Sequence, residues 1–156
     1  AVGVRVHHRQ LLLIVSLALG CGYRTRASVL QTVTLGGVRV LDPDPWLVAL
    51  GRATLVESLV REGISLRSGD RLDVSIEAPP TSVPAGAFVT ELRAEVVLRA
   101  TLSGRGRSRA IETRGEGEAP VGERGASAAE AARLARRRSV EMAAERLAEA
   151  LRVADE

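Results

Sequence analysis

The chain has 156 residues, 46% of them hydrophobic and only 2% aromatic, with 22 arginines against 19 acidic residues for a formal net charge of +3. That length holds one domain with one core and not comfortably two. The basic excess gives little ground for a nucleic-acid partner, because Arg5 and Arg9 fall in a segment that reads as a leader, and without it 20 basic side chains face 19 acidic ones. Lysine and asparagine are absent while Ala, Gly, Leu and Val dominate, which reads as the imprint of a GC-rich genome.

The leader comes first. Arg5, His7, His8 and Arg9 form a positive region ahead of the apolar run LLLIVSLALG at residues 11–20, and Cys21 follows directly. That order is the order of an export signal. The run is about half of the ~20 apolar residues that a bilayer span requires, so it is not read as a transmembrane helix. Because the sequence opens on Ala1, its true start is expected upstream. Leu17-Ala18-Leu19-Gly20-Cys21 resembles the lipobox of bacterial lipoproteins, with Ala18 where Leu is usual. The resemblance implies diacylglyceryl transfer to the Cys21 thiol, cleavage before it and acylation of the new amino terminus. One acyl chain holds a protein to a bilayer only marginally, at about 0.8 kcal/mol per methylene, whereas three chains anchor it stably. By the same resemblance to bacterial lipoproteins, Gly22, not being Asp, implies sorting to the outer membrane. The alternative is an ordinary cleaved signal that leaves a free thiol.

Removal of residues 1–20 takes both histidines, and lipidation consumes the cysteine, so the remainder has no imidazole, amine or thiolate for general-base, Schiff-base or nucleophilic chemistry. The same absence excludes Cys/His metal sites. No G-x-S-x-G elbow, P-loop or dinucleotide fingerprint is present. An enzyme is not expected, and neither cofactor nor metal is implied.

Residues 21–34 are expected to be the lipidated end and its tether, and residues 35–156 one periplasmic domain. Val29, Gln31, Val33 and Leu35 alternate weakly, Gly36-Gly37 punctuates, and residues 38–41 read as a first short strand. Asp44 is placed as N-cap and Pro45 as first residue of a helix running to Glu62, with Gly63 after its end. Its apolar stripe is read as Val48, Leu55, Val56, Leu59 and Val60, with Thr54, Glu57, Ser58 and Arg61 opposite and Trp46 at the stripe's edge, partly buried.

Leu72, Val74, Ile76 and Ala78 alternate with Arg71, Asp73, Ser75 and Glu77, a half-buried strand. The Pro-rich loop over 79–86 ends it. Residues 88–102 are the longest alternating run, the central hairpin arm, and a slip of one residue would put its whole apolar set in water. Ser103-Gly104-Arg105-Gly106 reads as the hairpin turn, and residues 107–116 as a charged, poorly patterned edge strand. Residues 116–126 are expected to form a mobile Gly-rich loop. Ser127 and Glu130 make a capping box for a closing helix. Val140, Ala143, Ala144, Leu147, Leu151 and Ala154 form its stripe, with Arg146 and Arg152 near Glu149. Its first half carries Arg133, Arg136, Arg137 and Arg138, is expected to project past the sheet, and is a candidate anion or lipopolysaccharide contact, pairing with phosphate or carboxylate, or, alternatively, a solvated helix end.

The expected fold is therefore α+β: a four-stranded, mainly antiparallel sheet with two helices packed on one face, in the order β-α-β-β-β-α. With Cys21-Gly22-Tyr23 at its head, the helix over 48–62, the strand over 88–102 and the closing helix over 127–153, the chain resembles the LPS-assembly lipoprotein LptE family. It departs from that family at Asp42-Pro43-Asp44-Pro45, where many members carry Phe and Asn, and in its fewer aromatics. The resemblance implies an outer-membrane lipoprotein facing the periplasm that assists assembly of the LptD β-barrel and delivery of lipopolysaccharide. Its partners would be that barrel, lipopolysaccharide and the membrane, with no nucleic acid. The other readings are a lipid-anchored periplasmic adaptor that regulates cell-wall enzymes or pilots a secretin, and an anion-binding module built on the arginine cluster.

Overall fold

The computed structural model describes residues 32–41, 44–83, 91–122 and 127–153. Cys21 and the leader lie outside them. In chain order the elements are β1 (Thr32–Val40), α1 (Pro45–Arg61), β2 (Ser65–Glu77), β3 (Glu91–Gly104), β4 (Arg107–Pro120) and α2 (Ala128–Val153). The sheet order is β1-β2-β3-β4, parallel between β1 and β2 and antiparallel elsewhere. This is the expected α+β arrangement.

Helix α1 begins because Asp44 accepts hydrogen bonds from the Trp46 and Leu47 amides at 3.0 and 3.3 Å, with Pro45 first in the helix. It ends where Gly63, at φ 78°, lets the Ile64 amide donate to the Leu59 carbonyl at 2.9 Å. The face it buries differs from the expected stripe. Leu47, Gly51, Thr54, Leu55, Ser58 and Leu59 face inward, while Val60 is 59% exposed. Close packing shapes this face: at Gly51 a Cβ would already meet the Ile76 side chain, so glycine takes that contact, and the small Thr54 and Ser58 are buried on the same face.

Strand β1 is longer than the first strand expected over 38–41. It starts at Thr32, and Val33 is fully buried. Gly36-Gly37 does not interrupt it but forms a bulge: Leu35 pairs with Leu72 and Val38 with Val74, so β1 carries one residue more than β2 there. The extra residue keeps Val33, Leu35, Val38 and Val40 all against the core.

Strand β4 also runs further than expected, through the segment read as the start of a mobile loop, and pairs with β3 residue by residue from Arg107 to Pro120. Its weak apolar pattern has a packing cause. At Gly115 a Cβ would sit 2.6 Å from the Ala143 amide nitrogen, and at Gly117 2.7 Å from that of Ser139, so the α2 backbone lies against the strand. Glycine occupies core-facing positions here because no side chain fits.

Helix α2 runs antiparallel to β4 and rests on it from Ala131 to Arg146, so the first half, expected to overhang, is supported. Ala131 and Ala135 are buried with Ala94 and Ala119 in a small satellite cluster. The support exists because β3 and β4 extend beyond the Glu77–Val97 pair that ends β2. Arg146 and Arg152 do not pair within the helix. Arg146 donates to the Arg114 carbonyl at 2.5 Å and Arg152 lies 3.2 Å from Glu62.

The main core unites Leu55, Leu59, Leu72, Ile76, Leu98, Leu147 and Leu151 between the helices and one sheet face. The molecule therefore has two poles. The start of β1 shares one with the β3–β4 turn, where Arg105 and Gly106 both have positive φ, 47° and 76°. The end of β1, the start of α1 and the first half of α2 share the other.

Candidate functional site

The four arginines singled out in the sequence do not converge. Arg137 turns along its own helix to Glu141 at 2.9 Å, and Arg138 donates to the Glu118 carbonyl at 2.5 Å. Both are exposed. Arg133 and Arg136, three residues apart and so on one helix face, line a cleft of about 280 Å³ together.

The cleft is closed by residues far apart in the chain. Val40 ends β1, Asp44, Trp46 and Leu47 open α1, Ala78 and Thr81 follow β2, and Ala132 joins the two arginines on α2. Each is placed by a local rule: Trp46 by the Asp44 cap, and Thr81 by the neighbouring Ser82, whose amide donates to the Arg93 carbonyl at 2.8 Å. Trp46, read from the sequence as a partly buried closure of the helix start, is 39% exposed at the cleft.

Electrostatically the cleft is uneven. Arg136 is half-buried, and its Nη1 is shut off from solvent without a hydrogen-bond partner among the described residues. That desolvation lowers the pKa of the guanidinium from its ordinary value, with the nearby Asp44 charge acting in the opposite direction. Arginine stays charged at neutral pH even so. The arrangement offers a desolvated cation, a second exposed cation, an indole face and apolar walls.

The opposite, open face of the sheet is a lattice of mutually paired charges. Arg99 reaches Glu77 at 2.6 Å and Glu112 at 3.0 Å, Arg114 reaches Glu112 at 3.2 Å, and Arg93 pairs with Glu116. At its β1 edge Arg71 holds Asp73 at 2.8 Å, and Asp73 also accepts the Gly37 amide of the bulge at 2.8 Å. Those two donors, the Arg71 side chain foremost, hold the Asp73 carboxyl below its ordinary range. Alternating charges in the sequence of β2 and β3 foretold a polar face; only the register decides which arginine meets which acid.

No protein-family profile and no curated protein matches the chain. Solved structures do resemble it. A minor lipoprotein from Acinetobacter baumannii superposes at TM-score 0.55 with 12% identity, covering 81% of this chain and 96% of that one. A lipoprotein from Caulobacter crescentus gives 0.44 with 16% identity, covering 74% and 88%. Rare lipoprotein B from Shewanella oneidensis gives 0.43 with 14% identity, covering 80% and 93%. The first likeness establishes a shared fold.

Proposed function

We propose that the protein is an outer-membrane lipoprotein resembling LptE, acylated at Cys21 and facing the periplasm, that assists assembly of the LptD β-barrel and passage of lipopolysaccharide to the outer leaflet. The observation that carries this reading is a conjunction within one chain. A lipobox-like LALGC ends at Cys21, and a domain that begins at Thr32 has the fold of a protein named as a minor lipoprotein. The element order and the placement of both helices on one sheet face agree with the family that the sequence resembles.

On this reading the domain acts by docking and carries no bond-making apparatus. Its partners are a β-barrel, lipopolysaccharide and the membrane that holds its acyl chains. Affinity purification of the membrane-extracted protein is expected to recover one integral β-barrel at one-to-one stoichiometry. Recovery of peptidoglycan synthases alone would replace this reading with that of a cell-wall adaptor. Mass spectrometry of the same preparation is expected to give an amino terminus at Cys21 carrying three acyl chains, and an unmodified thiol would remove the lipoprotein reading.

A further inference from the structure

We infer that the cleft between the start of α1 and the first half of α2 docks an acidic-apolar segment of a partner protein, its carboxylate seated on Arg136 and Arg133 and its apolar neighbour packed on Trp46. The inference rests on the docking reading above and names the chemistry that one part of the surface recognises.

Three observations carry it. First, Arg136 has lost part of its hydration, with Nη1 buried, and among the described residues Nη1 has no hydrogen-bond partner and no acid makes an ion pair with the guanidinium. A charge in that state attracts a counter-ion more strongly than a solvated one, because the surrounding dielectric is lower and the desolvation cost has already been met by folding. Arg137 and Arg138, by contrast, are engaged by the Glu141 carboxylate and the Glu118 backbone carbonyl.

Second, the charge of the cleft selects the anion. Arg133 and Arg136 supply two positive charges and Asp44 one negative, so a monoanion balances the site and a phosphate dianion would overshoot it beside Asp44. Asp44 is held in place by its own hydrogen bonds from the Trp46 and Leu47 amides and cannot swing away without uncapping α1.

Third, the walls are apolar on the remaining sides: Val40, Leu47, Ala78 and the Trp46 ring. A free inorganic anion leaves these unused, whereas an apolar side chain adjoining the carboxylate covers them. A volume of about 280 Å³ suits one or two side chains of a peptide and not a folded element.

Trp46 is the one tryptophan of the chain, so its emission reports on the cleft directly. The detergent-extracted full chain is titrated with the blocked dipeptide acetyl-Leu-Glu-amide, with acetyl-Leu-Gln-amide and with inorganic phosphate. A saturable change in emission is expected with the Glu peptide, about tenfold weaker with the Gln peptide and with phosphate, since a charge-assisted pair is lost in one and the apolar contact in the other. Arg136→Met is expected to weaken the Glu peptide about tenfold without lowering the thermal midpoint, because it removes a buried charge that has no partner. Exposed Arg133→Gln is expected to weaken it without touching the fold. Equal response to the Glu and Gln peptides, phosphate binding as tight as the peptide, or no saturable change would overturn the inference. Any of these retires the cleft alone, because the identity of the barrel partner is decided by the purification.

Discussion

Two hydrogens hold the place of side chains where α2 crosses β4. At Gly115 and Gly117 the nearest atoms to a would-be Cβ belong to the helix backbone, which has no rotamer with which to yield. Alanine at either position is expected to destabilise by about 1–3 kcal/mol, the usual range for overpacking. Urea denaturation checks this as a lowered midpoint at unchanged slope. At Gly106, in the exposed turn, nothing lies within 4 Å and only the positive φ resists substitution, so its replacement by alanine is expected to cost less than that at Gly115.

Asp73 provides a pH-dependent residue. Its folded pKa lies below the ordinary carboxylate value, held there by the Arg71 guanidinium and the Gly37 amide. A depressed carboxylate contributes stability that is fully present above its unfolded value and is lost as pH falls through the folded value. The stability difference between the native chain and Asp73→Asn is therefore expected to be constant from neutral pH down to about 5 and to close below about 4. Chemical denaturation at stepped pH checks it, and a gap that widens on acidification would contradict the assignment of Asp73 as the Gly37 acceptor.

At the scale of elements, caps are what the chain announces most openly. The Ser127 amide donates to Glu130 Oε2 at 2.7 Å while the Glu130 amide donates to Ser127 Oγ at 3.3 Å, the reciprocal pair the sequence implied. Ser127→Ala is expected to cost about 1 kcal/mol and to loosen only the first turn of α2. Faster amide exchange in residues 128–131, with residues 140–147 unchanged, is the check. Boundaries defined by apolar runs were less legible. The bulge at Gly36-Gly37 resembles a break in linear sequence, and the two halves of β1 become one strand only when β2 supplies a continuous partner. Likewise hydrophobicity points to one stripe of α1, but close approach to Ile76 demands Gly51 on the buried side, and Thr54 and Ser58 are buried on that face with it.

Across the whole molecule, packing is graded along α2. The main core is built of Leu, Ile and Val, while the cluster beneath the first half of α2 consists of Ala94, Ala119, Ala131 and Ala135 with Leu92 and Val121 beside it. Alanine buries far less apolar area than leucine, and burial contributes roughly 25 cal/mol per Å². The first half of α2 is therefore held less strongly than the second. Hydrogen exchange is expected to run faster in α2 residues 131–137 than in residues 140–151, and to slow at the former when the cleft is occupied. Uniform protection along α2 would contradict this grading.

What the sequence by itself determined are the features whose cause is local: the capping box, the Asp44-Pro45 start and Gly63 stop of α1, the alternation of β2 and β3, the hairpin turn and, through these, the order of elements and the α+β class. Tertiary structure alone decided the rest. The true length of β1 and β4, the buried face of α1, the support beneath the first half of α2 and the separation of Arg133 and Arg136 from Arg137 and Arg138 all depend on which backbone lies against which. Glycine and alanine made those contacts, and they leave almost no hydrophobic signal in a sequence, because what they contribute is the absence of a side chain where two backbones meet.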